Sequence, residues 1–287
     1  MLIKHYKGVD IELSEDHDFS WLDYYDDVFC VFDKQDSGNI SFGVKTNGEK
    51  RFIKYAGAKN MLFNGDVKKA VINLKKSKQV YYDLKKQSLI KLYDSFETKK
   101  GFGLVFEWFD GINLYPHWTF DDYDRYRDPK SSYYQSRHLT FREKCSIFDV
   151  MFDFLIHVEN KGYTAVDFYD GSLMYNVKKG ITKVIDIDYF KESNIRNDIG
   201  ESFWGSSRTK APEERIIGSE IDQRTTVYTA GKIIMEVIST HEIPDLNQLN
   251  LNKQMRGIIN KATQSEKSKR YQSVEEFYKE WSKEVRV

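Results

Sequence analysis

Three polar residues stand where apolar ones would serve a core better: Lys54, Asp167 and Asp186. Lys54 ends the inward-reading run Arg51-Phe52-Ile53-Lys54, where the plain alternative is an edge-strand lysine reaching solvent. Asp167 lies in Gly162-Tyr163-Thr164-Ala165-Val166-Asp167-Phe168-Tyr169-Asp170-Gly171-Ser172, where the alternative is a turn aspartate. Asp186 closes the apolar run Val184-Ile185-Asp186-Ile187-Asp188; strands avoid aspartate, and a capped strand end is the alternative there. A lysine offers a cation to anionic groups, and two carboxylates offer ligands to a cation or acceptors for a proton.

The elements that must carry these residues can be read from periodicity. Residues 28–32, 39–44 and 51–55 read as strands, and Asn47-Gly48 between the last two signals a type I′ hairpin, because that turn needs positive φ at both central residues. Val71, Leu74, Val80, Tyr81 and Leu84 recur at helical spacing and predict one amphipathic helix over 67–85. Further strands are expected at 89–93 and 103–107. Residues 113–138 hold Trp118, Tyr123, Tyr126, Tyr133 and Tyr134 among many charges without a sustained period, and read as an irregular insertion. A helix is expected over 141–161, then a hairpin from 172–175 and 183–186 turning through Lys178-Lys179-Gly180, a Ser/Gly-rich stretch at 200–210, and helices over 226–239, 252–264 and 274–285. Strands first and helices afterwards predict an α+β chain of two lobes, with a ligand expected between them.

Taken in order, the motifs resemble the protein kinase family, from about Asp33 to Trp281, and most resemble bacterial serine/threonine kinases of eukaryotic type. Arg51-Phe52-Ile53-Lys54 matches the strand-borne phosphate lysine, Val166-Asp167 with Ser172 the catalytic loop, Asp186-Ile187-Asp188 the D-F-G metal motif, and Ala211-Pro212-Glu213 the A-P-E motif. The resemblance implies a bilobal kinase-like fold: an extension over 1–27, an N-lobe over 28–109 and a helical C-lobe over 110–287. It implies ATP with Mg²⁺ or Mn²⁺, Lys54 on the phosphates, Asp167 orienting the acceptor hydroxyl, and Asp186, Ser172 and Asp188 around the metal. Gly38, Ile40, Phe52, Phe106 as gatekeeper, the hinge at Glu107 and Phe109, and Met174 as floor complete the nucleotide set. Ser206, five positions before the A-P-E alanine, is where serine/threonine kinases carry a hydroxyl that bonds the catalytic aspartate; Glu213 is expected to pair with Arg270.

Departures from the family pattern carry their own implications. The glycine-rich loop survives only as Asp33-Lys34-Gln35-Asp36-Ser37-Gly38. Ser77 takes the place of the helix glutamate that pairs with the lysine, Ser172 that of the loop asparagine, Tyr169 that of a lysine, and Thr226 that of the anchor aspartate. Val166 replaces the arginine that clamps a phosphorylated activation loop, which predicts activity without loop phosphorylation. Phe52, where a small alanine is usual, could stack on adenine or block it. The implied activity is transfer of the ATP γ-phosphate to a protein Ser/Thr hydroxyl. A pseudokinase scaffold is the alternative, and a small-molecule kinase the second, weakened by Ala211-Pro212-Glu213 with Arg270.

Composition sets the outer bounds. A chain of 287 residues, 40% hydrophobic and 31% charged, folds without staples, and 15% aromatic residues argue against disorder. Lys+Arg and Asp+Glu are both 44, which leaves no net electrostatic footprint for nucleic acid. Cys30 and Cys145 stand far apart without a zinc or disulfide pattern, so a reducing cytoplasm is expected. The first residues do not read as a signal peptide, and the apolar stretch 147–158 is broken by Asp149, Asp153 and His157, so no membrane span is expected. The aromatic insertion at 113–138 could dock a protein partner, and padding of the lobe is the favoured alternative.

Overall fold

The computed structural model describes residues 1–193 and 195–285. Among the described residues six α-helices and several antiparallel sheets make an α+β protein, and the chain divides into two compact units, Met1–Asp110 and Gly111–Val287.

The first unit opens with a hairpin, β1 (Leu2–Tyr6) and β2 (Val9–Leu13), followed by a short 3-10 helix at Ser20–Tyr24. Then come β3 (Asp27–Phe32), β4 (Asn39–Thr46), β5 (Glu49–Ala56), α1 (Val67–Asp83), β6 (Leu92–Glu97) and β7 (Phe102–Glu107). The five later strands form one antiparallel sheet in the order β3-β4-β5-β7-β6. Thr46 faces Glu49 across the expected two-residue turn, where Asn47 and Gly48 take φ of 51° and 77°. Strand pleating sends Ile40, Phe42, Val44, Ile53 and Tyr55 to one face, where they share a core with Ile11, Leu13, Phe19 and Leu22. The first 27 residues are therefore built into this unit. Asp66 starts α1 by accepting the Lys68 N–H at 2.8 Å, and Ala70, Leu74, Ser77 and Tyr81 are buried along it.

One strand departs from expectation. Residues 89–93 were expected to be extended, yet β6 starts at Leu92 and runs to Glu97. Leu89 and Ile90 are buried anchors ahead of the strand, while β6 itself is a sheet edge with a bulge between Leu92 and Asp94, so its Tyr-Asp-Ser sequence lacks an apolar alternation.

The second unit contains β8 (Ile112–Asn113), α2 (Ser132–Arg137), α3 (Phe141–Asn160), β9 (Tyr163–Thr164), β10 (Leu173–Asn176), β11 (Ile181–Val184), β12 (Lys191–Glu192), β13 (Ile195–Arg196), β14 (Glu220–Ile221), α4 (Gln223–Ile238), α5 (Lys253–Ala262) and α6 (Val274–Val285). Its small sheets pair β11-β10-β8, β12-β9 and β13-β14. A capping box between Thr140 and Glu143 starts α3, whose Phe148 and Phe152 meet Trp281 and Phe277 of α6 at ring separations of 6.1 and 5.0 Å. The segment 113–138 is more ordered than its sequence suggests. It contains α2, and Tyr115, Phe120, Tyr126 and Tyr133 pack edge to face with one another at 5.0–5.8 Å, so they form a local core without helical periodicity. Among the described residues no helix is long and apolar enough to cross a membrane.

Candidate functional site

In the first unit, Phe52 and Lys54 share one face of β5, the face opposite the core that the N-terminal segment fills. Lys54 lies across from Ser41 and Leu104, and Phe52 across from Gly43 and Phe106. The Phe52 ring lies 6.0 Å from Phe32 and 6.5 Å from both Phe106 and Trp108, forming an aromatic row on that face. Phe106 is buried against Tyr81 of α1 at 4.8 Å. The Glu107 N–H donates to the Lys91 carbonyl at 2.9 Å and its carboxylate accepts the Lys91 N–H at 2.8 Å, so Glu107 is tied to the approach to β6. Beyond it, residues 108–110 leave the sheet and Phe109 is half-buried; the Trp108 ring packs on Phe29 at 4.8 Å.

Ile40 and Gly38, which the resemblance assigns to the nucleotide, are packed as follows. Ile40 is fully buried, pairs with Tyr55, and points into the core on the face away from Lys54; Ser41 and Gly43 occupy the Lys54 face instead. A one-residue offset in a period-two strand is enough to make that difference. Gly38 has a left-handed φ of 79°, and a Cβ there would meet the Phe63 ring at 2.7 Å and Ala70 at 2.9 Å. Its missing side chain admits Phe63 and α1. Ser77 is buried and donates to the Leu74 carbonyl within its own helix at 2.9 Å.

In the second unit the polar residues singled out from sequence lie on neighbouring loops. Leu173 faces Val184 across β10 and β11, and the Ile185 N–H donates to the Ser172 carbonyl at 2.8 Å, which sets Asp186 just beyond the end of the loop that carries Asp167. Both aspartates are half-buried, and both have left-handed backbones, with φ of 59° at Asp167 and 55° at Asp186. Non-glycine residues held this way cost of order 1–3 kcal/mol each and persist where surrounding contacts impose them. Asn113 ties down the loop that carries Asp167 by donating to the Gly171 carbonyl at 2.8 Å. Met174 follows on β10, opposite Asn113 and Lys183. A Cβ on Gly205 would stand 3.9 Å from the Asp167 Cα and 3.5 Å from the Lys210 Cε, so the segment bearing Ser206 runs beside Asp167.

Asp186, Asp188 and Ser172, the residues that the resemblance assigns to a metal, carry the oxygen donors that hard divalent cations take. Asp186 and Asp188 are both half-buried, whereas Ser172 is fully buried with its hydroxyl accepting the Tyr169 N–H at 3.4 Å, engaged in the loop turn. Among the described residues no group of three or more His, Cys, Asp or Glu forms a metal site. An ion here would draw its other ligands from phosphate oxygens and water, as magnesium commonly does.

Two buried charge groups flank these loops. Arg270 grips Glu213 through both guanidinium nitrogens at 2.7 and 2.9 Å, the pair expected from sequence, and Thr225 donates to the same carboxylate at 2.7 Å. Burial alone would raise the Glu213 carboxyl, but the Arg270 guanidinium outweighs it and holds it below its ordinary value. The second group escaped sequence reading: Asp170, fully buried, joins Arg137 at 2.9 Å and Arg208 at 2.6 Å, and Arg208 also meets Glu236 at 2.8 Å. Its one legible signal was Glu236, a lone charge inside the run Ile233-Ile234-Met235-Glu236-Val237-Ile238.

Neither models of known protein families nor curated proteins match the chain.

Proposed function

We propose that the chain is a serine/threonine protein kinase of bilobal kinase-like fold, transferring the ATP γ-phosphate to a protein Ser/Thr hydroxyl. The observation that carries this reading is the left-handed backbone at both Asp167 and Asp186, the two carboxylates that the motif order assigns to acceptor and metal, on loops joined through Ser172 and Ile185. The buried Glu213–Arg270 pair adds support, since it braces the A-P-E segment next to the acceptor side.

In this reading Asp167 accepts a hydrogen bond from the incoming hydroxyl, orients it, and takes its proton as the new oxygen–phosphorus bond forms and the bond from the γ-phosphorus to the bridging oxygen breaks, releasing ADP. Ser206 holds the Asp167 carboxylate in position. Lys54 pairs with phosphate oxygens, Phe52 and Met174 pack on adenine, and backbone groups between Glu107 and Phe109 read its edge. Asp186 and Asp188 would hold Mg²⁺ or Mn²⁺, which when bound would supply positive charge against the phosphates.

A second reading, a pseudokinase scaffold, draws on Gly38, whose open side is filled by Phe63. The two separate in one experiment. Purified protein is incubated with labelled ATP, Mg²⁺ or Mn²⁺ and a generic Ser/Thr acceptor, beside Asp167→Asn, while melting is followed with and without nucleotide. The kinase transfers label, Asp167→Asn does not, and nucleotide at about 100 times Kd stabilises both by about 2.7 kcal/mol. A melting shift without transfer selects the nucleotide-binding scaffold, and the absence of both transfer and shift also refutes the kinase.

A further inference from the structure

We propose that the segment Phe203–Lys210 is docked against the Asp167 loop by contacts encoded in the sequence, with Arg208 as its positioning residue, so that the acceptor side is assembled in unphosphorylated protein. The docking stands on geometry alone; its purpose rests on the kinase reading above.

Two anchors of different chemistry hold the segment. The first is apolar: Phe203 is buried with Val166, which precedes Asp167, and with Ile221 of β14, and Tyr189 and Ile195 pack against them. The second is ionic. The Arg208 guanidinium makes two bonds to Asp170, at 2.6 and 3.3 Å, and a third to Glu236 of α4 at 2.8 Å. Its cation lies 3.4 Å over the Tyr115 ring. Asp170 is shared with Arg137, whose guanidinium also donates to the Leu114 carbonyl at 3.3 Å. Two guanidiniums and two carboxylates balance, which is the condition under which such a group is tolerated in an interior.

Between the anchors the chain closes on itself around Ser206. The Thr209 and Lys210 N–H groups donate to the Ser206 carbonyl at 3.1 and 3.0 Å, the Lys210 ammonium donates to the Phe203 carbonyl, and Arg215 donates to the Ser207 carbonyl at 2.9 Å. Asp170 is three residues beyond Asp167 and Arg208 two beyond Ser206, so the ionic anchor sets the spacing between the acceptor loop and the serine beside it. Both guanidiniums are already matched by carboxylates, and a phosphate on Ser206 would add negative charge beside Asp167.

Hydrogen exchange over residues 200–211 tests this without any enzymatic assay. In wild-type protein shown by intact mass to carry no phosphate, these amides are expected to exchange slowly. Arg208→Met should speed their exchange on the order of 100-fold, as expected when a buried ion pair loses one partner. Glu236→Gln, the milder variant should Arg208→Met fail to fold, is expected to give about a tenfold acceleration by weakening one charged bond. With a phosphorylatable acceptor, Arg208→Met should raise the acceptor KM while the nucleotide-induced melting shift stays as in wild type. Exchange that is equal in wild type and both variants, or slow exchange that appears only after phosphorylation, overturns the proposal. Absence of transfer by the wild type would refute the kinase reading, while the exchange data would still decide the docking.

Discussion

Glu214 is buried next to Glu213 and accepts the Ala211 N–H at 2.6 Å; burial pushes its carboxyl from 4.5 up to about 7. The folded protein thus keeps a proton that the unfolded chain releases. Stability from this group is complete below pH 4.5 and is lost as pH rises towards 7. Glu214→Gln should therefore stabilise the protein above pH 7 by roughly 3 kcal/mol and very little near pH 4, read from urea titrations at both values. An equal effect at both would show that the carboxyl is not protonated in the fold. Asp188, where the resemblance expects glycine, lies two residues past Asp186. As part of the proposed kinase it adds a carboxylate for the metal or the phosphate lysine, so Asp188→Gly should lower phosphoryl transfer on the order of 10²-fold. Ser77→Ala, which removes only a bond inside α1, should cost little. Unchanged turnover in Asp188→Gly would reduce Asp188 to surface charge.

Between elements, Arg270 is a polar tie that joins three parts of the second unit. Besides Glu213 it donates to the carbonyls of Gln264 at 2.7 Å, Ser265 at 3.1 Å and Arg224 at 3.0 Å, so it stitches the chain after α5 to the start of α4 and to the 3-10 turn Pro212–Arg215. Arg270→Met would leave Glu213 buried without its cation and is expected to cost about 3–5 kcal/mol in chemical denaturation. Arg270→Lys should recover only part of this, because an ammonium cannot make the paired guanidinium contact. A loss below 1 kcal/mol would mean that the carboxylate finds water or another partner.

At the scale of the whole molecule, each compact unit is built on its own core. The first unit depends on residues outside its main sheet: Phe19 packs on Phe42 at 5.7 Å, and Trp21 stacks on Tyr55 at 4.9 Å. Phe19→Ala should destabilise by about 3–5 kcal/mol, measured by denaturant unfolding. A chain beginning at Asp27 loses Ile11, Leu13, Phe19 and Leu22 together, and is expected to lack a folded first unit by circular dichroism and hydrogen exchange. Native-like protection of β4 and β5 in that truncated chain would show that the sheet holds its core without them.

Local chemistry made much of this protein legible in one dimension. Asn47-Gly48 dictates its hairpin, and the apolar spacing of α1, α3 and α6 dictates those helices within a few residues, while the pairing of Glu213 with Arg270 is implied by the family resemblance and not by local chemistry. The pattern Val9-Asp10-Ile11-Glu12-Leu13 also alternates as a strand should, a signal of β2 that was there to be read. Tertiary structure alone decided the rest, because those features depend on partners distant in sequence. β6 is defined by the β7 edge it joins, and the face that Ile40 takes is defined by register. The segment at 113–138 is ordered by aromatic rings meeting one another. Asp170, Arg137, Arg208 and Glu236 are each ordinary charges in the sequence, and only the fold, by burying all four together, makes each the counter-charge that the others require.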